Sequence, residues 1–181
     1  MSSDATTSHR PADADGPNAA DGTLDRATFA ALFGRHPAGV AVVTLTDGTR
    51  PVGFTATSVI SVSAQPAVLA FSINDTSSSW PALSGSETVT VNLLAADQRQ
   101  VSAVFATSGI DRFAQVDWRQ LPTGEPILEG TAGWISGRIL ERVPAGGSHL
   151  VIVAADRAEI ANDEPLVYRN RTYHQLLEYE I

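Results

Sequence analysis

The chain has 181 residues, 43% of them hydrophobic, and a formal net charge of −8; that is enough apolar material for one self-sufficient core. It contains no cysteine, which excludes disulfide frameworks, thiolate metal sites and cysteine nucleophiles. All twelve basic residues are arginine, which excludes lysine Schiff-base chemistry, and the acidic balance without a basic stripe argues against nucleic acid and anionic membranes as partners.

Residues 1–22 are rich in Ser, Thr, Ala, Asp, Pro and Gly and almost free of aliphatic side chains. Such a stretch cannot offset its ordering entropy, and it lacks the apolar centre of a secretory signal, so a disordered tail is expected. The remaining 23–181 reads as one domain. No apolar run reaches the length of a membrane span, and a cysteine-free chain fits a cytoplasmic location.

Residues 24–33 predict a helix, with Leu24, Phe29, Leu32 and Phe33 close to one face, Asp25 at its start and Gly34 at its end. The β-branched run 40–46, the turn signal Asp47-Gly48 and the run 52–58 predict a hairpin. A third strand is expected over 67–73. A short helix follows over 77–83, with Pro81 in its first turn and Gly85 at its close. Next come a strand over 88–94, a helix over 96–105 with Val101, Val104 and Phe105 buried, and a long loop over 107–130. Two long strands, 132–142 and 149–160, meet at Gly146-Gly147. A final pair, 166–169 and 172–176, meets at Asn170-Arg171. Strands outnumber helices and do not alternate with them, so the fold class is mainly β, an antiparallel barrel with helical insertions.

Three segments carry chemistry. Gly53-Phe54-Thr55-Ala56-Thr57-Ser58 packs small and hydroxyl residues into a strand; it reads either as an edge strand rich in threonine or as a backbone that a ligand approaches closely. Asn74-Asp75-Thr76-Ser77-Ser78-Ser79-Trp80 places four hydroxyls where a helix begins, which suits either N-capping or a phosphate. Gly147-Ser148-His149 puts a histidine at the exit of a hairpin, facing a ligand or capping the turn. The other histidines, His9, His36 and His174, have no metal-ligand spacing, so no metal is expected. There is no G-x-S-x-G elbow, no apolar carboxylate pair and no G-x-G-x-x-G after a strand. The residues themselves point to a phosphorylated, flat, polar ligand.

Other segments extend this pattern. They are Pro37-Ala38-Gly39-Val40-Ala41-Val42-Val43-Thr44, the run 51–58, Ser61-Val62-Ser63 with Pro66, and Ser77-Ser78-Ser79-Trp80. Then follow Val91-Asn92-Leu93-Leu94, Val101-Ser102-Ala103-Val104-Phe105, Asp111-Arg112-Phe113, Val116-Asp117-Trp118, Gly147-Ser148-His149 and Pro165-Leu166-Val167-Tyr168. In this order and spacing, over residues 29–173, the chain resembles the short flavin reductase family, the reductase components of two-component flavin-dependent monooxygenases.

The resemblance implies an antiparallel FMN-binding split β-barrel that holds flavin at a homodimer interface. FMN is the implied cofactor, with FAD an alternative, and NADH or NADPH is the co-substrate. By position, Pro51, Val52, Gly53, Phe54, Thr55, Thr57 and Ser58 would meet the flavin ring and ribityl chain. Ser72, Ile73 and Asn74 would lie along the ring, Ser78 and Ser79 would take the phosphate, and Val104 and Phe105 would border the cofactor. Val167, Tyr168, Arg169 and Asn170 would help hold the dinucleotide. His149 would be the catalytic-site histidine, orienting the nicotinamide or shielding flavin N5. Reduced flavin would pass to a partner monooxygenase. Two positions depart from the family pattern: Ser148 stands where many relatives carry Asp beside the histidine, and Val104 where some carry Arg. Two other readings belong to different classes. One is a flavin-binding protein without reductase turnover. The other is a split barrel resembling pyridoxamine-phosphate oxidases, which calls for basic phosphate ligands where this chain shows hydroxyls.

Overall fold

The computed structural model describes residues 23–176; the expected N-terminal tail lies outside them. The chain divides into two compact units, one ending at Arg35 and the other starting at His36. The first contains helix α1 (Arg26–Gly34), capped by Asp25, whose carboxylate accepts from the backbone N–H groups of Ala27 and Thr28 at 2.9 and 3.0 Å. Gly34 is the last helical residue, and Arg35 closes the helix in a right-handed conformation. Phe29 and Phe33 stack at 4.5 Å between ring centroids, and the apolar side chains of this helix are exposed.

The second unit is built from strands β1 (Ala38–Gly39), β2 (Ala41–Thr46), β3 (Pro51–Ala56), β4 (Ile60–Ala64) and β5 (Ala67–Asn74), then helix α2 (Trp80–Gly85) and β6 (Thr88–Leu93). Helix α3 (Arg99–Ala106) follows, then β7 (Trp118–Gln120), β8 (Pro126–Leu128), β9 (Gly133–Ala145), β10 (Ser148–Ile160), β11 (Val167–Arg169) and β12 (Thr172–His174). Seven strands form one antiparallel sheet in the order β3-β2-β6-β9-β10-β5-β4. Its end strands β3 and β4 do not pair with each other, so the sheet is not a closed barrel, which is compatible with a split one. The mainly β, antiparallel expectation matches this architecture.

Strand β2 shows why the runs of valine are unbroken. Ala41, Val43 and Leu45 enter the main core with Phe54, Phe71, Val91 and Val151. Val40 and Val42 enter a second cluster with Val104, Phe105, Phe113, Leu128 and Leu166. The strand is buried on both faces, so alternation disappears from its sequence. The buried Asn92 of the neighbouring β6 is satisfied against it. Asn92 donates to the Val42 carbonyl and the Thr44 hydroxyl, both at 3.0 Å, and accepts from Leu128 N–H at 2.9 Å.

Two regions differ from the sequence expectation. Strand β4 lies where none was expected, and its register on β5 shifts between Ser61 and Ser63. The long loop holds a one-turn 3-10 helix (Phe113–Gln115) and the β7–β8 hairpin. These pieces are three residues long, too short for periodicity to register. The turn at Asp47-Gly48 has four residues, closed by the Asp47 carboxylate accepting from Thr49 and Arg50 N–H, both at 2.9 Å. Asn170 and Arg171 form a two-residue turn with φ of 50° and 61°.

Candidate functional site

The strand 51–56 alternates after all. Phe54 and Ala56 point into the main core, while Gly53 and Thr55 face α3. The Thr55 hydroxyl donates to the Ser102 carbonyl at 2.7 Å. A Cβ on Gly53 would stand 2.7 Å from Cε1 of Phe105 and 3.2 Å from the Val43 carbonyl oxygen. The smallness of Gly53 is therefore used to seat the Phe105 ring. Phe105 and Val104 are themselves buried in the second core cluster.

The serine stretch is more specialised than a cap. Thr76 donates its hydroxyl to Asn74 Oδ1 at 2.6 Å, and the same oxygen accepts from Thr76 N–H at 2.9 Å. The Asn74 carboxamide oxygen thus closes a local turn. The Ser77 hydroxyl accepts from Ser79 N–H at 3.3 Å. Ser79 is almost fully buried (1%) and caps nothing with its side chain. Its hydroxyl donates to the Gly53 carbonyl at 3.4 Å and accepts from Nη1 of Arg112 at 3.2 Å.

Arg112 is the residue that sequence reasoning missed. It comes from the loop after α3 and anchors through Nε to the Thr107 carbonyl at 2.8 Å. Nη1 donates to the Gly53 carbonyl at 2.5 Å, and Nη2 to the Ser78 hydroxyl at 3.4 Å. Burial pushes its pKa below the ordinary arginine value, yet a guanidinium stays charged. Gly53, Ser78, Ser79 and Arg112 line a cleft of about 1440 Å³ together with Pro51, Val52 and Pro81. The serine hydroxyls thus have a cation among them. The only trace of it in the sequence is the Asp111-Arg112-Phe113 segment, more than thirty residues from the serines.

His149 lies elsewhere along the same stretch. On β10 it pairs with Ile73 of β5 and with Pro144 of β9. Its imidazole stacks on the Trp80 indole at 3.9 Å and 18° between planes. Nδ1 lies 2.8 Å from Asp75 Oδ1, although not in a well-aligned hydrogen bond. Asp75 thus places a carboxylate beside the ring, where position 148 carries serine. Ser58 is used structurally: its hydroxyl accepts from Ser72 N–H at 2.9 Å and donates to the Ser72 carbonyl at 3.2 Å, extending the ladder past β4. Thr57 is exposed beyond the end of β3.

Among the expected site residues, the fold joins Gly53, Ser78 and Ser79 directly, and Ile73 and Asn74 with His149 through the strand register. Val167, Tyr168, Arg169 and Asn170 belong to the separate sheet of β1, β11 and β12. They reach the rest through Tyr168, which packs against the cluster holding Phe105, and through Tyr173, whose hydroxyl donates to Ser102 at 3.0 Å. Arg169 and Asn170 are exposed. No metal-holding cluster of His, Cys, Asp or Glu is present among the described residues, and none of their helices is long and apolar enough to cross a membrane.

Known proteins place this arrangement. The profile of the flavin reductase like domain matches residues 33–177. The chain belongs to the flavin reductase like family. It is 42% identical over 153 residues to an NADH:FMN oxidoreductase of Rhodococcus qingshengii, covering 81% of this chain and 80% of that one. It is 35% identical over 161 residues to a flavin-dependent monooxygenase reductase subunit of Rhodococcus jostii, covering 88% and 82%. A flavin reductase domain protein from Arthrobacter superposes with a TM-score of 0.81 at 37% identity, over 87% of this chain and 100% of the other. An NADH:FAD oxidoreductase of Streptomyces globisporus, solved with NAD and FAD fragments, superposes with a TM-score of 0.81 at 26% identity, over 84% and 93%.

Proposed function

We propose that this member of the family is an NAD(P)H:flavin oxidoreductase that binds FMN in the cleft beside Arg112, with FAD as an alternative, and delivers reduced flavin to a separate monooxygenase component. The observation that carries the reading is the guanidinium of Arg112 set among the hydroxyls of Ser78 and Ser79 at the cleft wall. A cation flanked by neutral donors is the chemistry a phosphate monoester selects. The clefts that take drug-sized ligands run to about 1,000 Å³, so a flavin nucleotide fits the space.

A bound flavin and a reduced nicotinamide would supply the hydride-transfer chemistry. The chain's own task is to bind and orient. Arg112 and Ser78 would hold the phosphate, and Ser79, whose hydroxyl donates to the Gly53 carbonyl, would fix the guanidinium beside it. The backbone of Pro51, Val52, Gly53, Phe54 and Thr55 lies along the flavin, with Thr57, Ser58, Ser72, Ile73 and Asn74 continuing that wall. His149, held on Trp80, faces the nicotinamide. Tyr168, Arg169 and Asn170 meet the far part of the dinucleotide. No nucleophile or general acid is required for this role.

The reading extends to a homodimer in the cytoplasm. Ile60 and Val62 on the end strand β4 are both 55% exposed, which supports a second copy covering them. The relatives named as monooxygenase reductase subunits support the oxygenase partner. The deciding experiment is a steady-state assay of the purified protein with each pairing of FMN or FAD with NADH or NADPH. Flavin-dependent loss of nicotinamide absorbance is the expected result. A tightly held flavin that neither nicotinamide bleaches would instead establish a flavin-binding protein without turnover.

A further inference from the structure

We propose that Asp75 is a positioning residue for His149: it holds the imidazole proton on Nδ1 and so leaves Nε2 as a hydrogen-bond acceptor facing the ligand. Three constraints converge on this ring. The strand register of β10 between β9 and β5 fixes its Cα. Stacking on Trp80 at 3.9 Å fixes its plane. The Asp75 carboxylate, 2.8 Å from Nδ1, then decides which edge carries the proton. Asp75 is itself tied to the same hairpin, because its backbone N–H donates to the Gly147 carbonyl at 3.1 Å.

The electrostatics admit one neutral tautomer. A neutral imidazole has one N–H and one lone pair. With the proton on Nε2, the Nδ1 lone pair would lie beside a carboxylate oxygen 2.8 Å away, a repulsive contact at a buried nitrogen that has no hydrogen-bond partner. With the proton on Nδ1, the same contact is attractive. Nε2 is then an acceptor and selects a ligand with an N–H to donate. On the function proposed above, on which this assignment of the ligand rests, that donor is the carboxamide N–H of the nicotinamide.

The test uses Asp75→Ala, Asp75→Asn and His149→Ala in the full chain. The Asp75 side chain is 43% exposed, so its removal leaves the fold intact. Long-range proton–nitrogen NMR of the flavin-free protein reads the tautomer directly. The expected result is the Nδ1–H form in the native protein and in Asp75→Asn, whose carboxamide oxygen still accepts, with a shift towards Nε2–H in Asp75→Ala. In the assay, Asp75→Ala should raise KM for the nicotinamide about fivefold, the worth of one hydrogen bond, with kcat within about twofold. His149→Ala should show the same rise, and the double variant no further one. A native ring protonated on Nε2, or a tautomer unmoved by Asp75→Ala, overturns the positioning role. A shifted tautomer with an unchanged KM overturns the acceptor role of Nε2. If the native protein oxidises no nicotinamide, the reductase reading fails, while the NMR result still decides the role of Asp75.

Discussion

Arg112 and Ser79 meet 3.2 Å apart over the carbonyl of Gly53, which accepts from both of them. One backbone oxygen thus fixes a loop arginine and a helix-start serine in the same place. Replacing Arg112 by alanine removes the charge and leaves the Gly53 carbonyl and the Ser79 hydroxyl with fewer partners. Loss of a charge-assisted contact is worth about 1.5–3 kcal/mol, so FMN should bind roughly 10- to 100-fold more weakly. Arg112→Lys should recover part of this, since the charge returns without the planar fork. Titration of FMN fluorescence measures both.

Gly53 is a packing residue, and the structure states what a methyl group there would meet. The nearest atom is Cε1 of Phe105 at 2.7 Å, on a ring that is buried and held edge-on against Phe113 at 5.1 Å. The ring cannot swing aside without opening the second core cluster. Gly53→Ala should therefore lower stability by about 1–3 kcal/mol, the ordinary cost of overpacking. Chemical denaturation followed by circular dichroism gives the number. A variant as stable as the native protein would show that Phe105 has room to move.

The turn after β2 carries its own pH dependence. The Asp47 carboxylate accepts from the Thr49 hydroxyl at 2.7 Å and from the N–H groups of Thr49 and Arg50. These bonds, led by the Thr49 hydroxyl, hold its pKa well below the ordinary 3.8. A carboxylate depressed in the folded state adds stability that is present above the unfolded value and is lost as pH falls towards the folded one. The melting temperature should thus decline as pH drops below about 4. Asp47→Asn should melt lower near neutral pH and show a shallower decline. Parallel slopes for the two proteins would rule out this carboxylate as a source of the acid sensitivity.

How far the sequence spoke depends on the range of each interaction. The two long strands, the double-glycine hairpin and the buried runs of β2 and β5 are local patterns, and period and turn chemistry reveal them. Pro81 in the first turn of α2 and Asp25 as a cap are equally local. Ser78 and Ser79 stood out by composition, but the partner that makes them a site, Arg112, approaches through a loop whose path no periodicity encodes. Asp75 belongs in sequence to the hydroxyl-rich stretch where a helix begins. Only the register of β10 on β5 brings it to His149. The packing of Phe105 against Gly53 is likewise invisible locally, because nothing near either residue in sequence shows that the ring fills that space. Strand β4 was hidden by its exposure: it buries too little for an alternating pattern to form.

Ile60 and Val62 occupy the end strand of the sheet, each 55% exposed, with unpaired backbone beside them. An exposed apolar edge is normally blunted by charge, proline or a cover, and β4 (Ile60–Ala64) carries neither a charged residue nor a proline. A second copy of the chain would supply the cover and keep both side chains from water. Burying two such side chains contributes about 1.5–3 kcal/mol each, enough to matter for a dimer at micromolar concentration. Sedimentation should therefore find about twice the 19.1 kDa of the chain. Val62→Arg places a charge in that contact without touching the core, so the variant should sediment as a monomer while melting as a folded protein. If the family's flavin site is completed by the second copy, the same variant also loses FMN affinity. A native protein that is monomeric at assay concentration, or a Val62→Arg variant that stays dimeric, would move the interface away from β4.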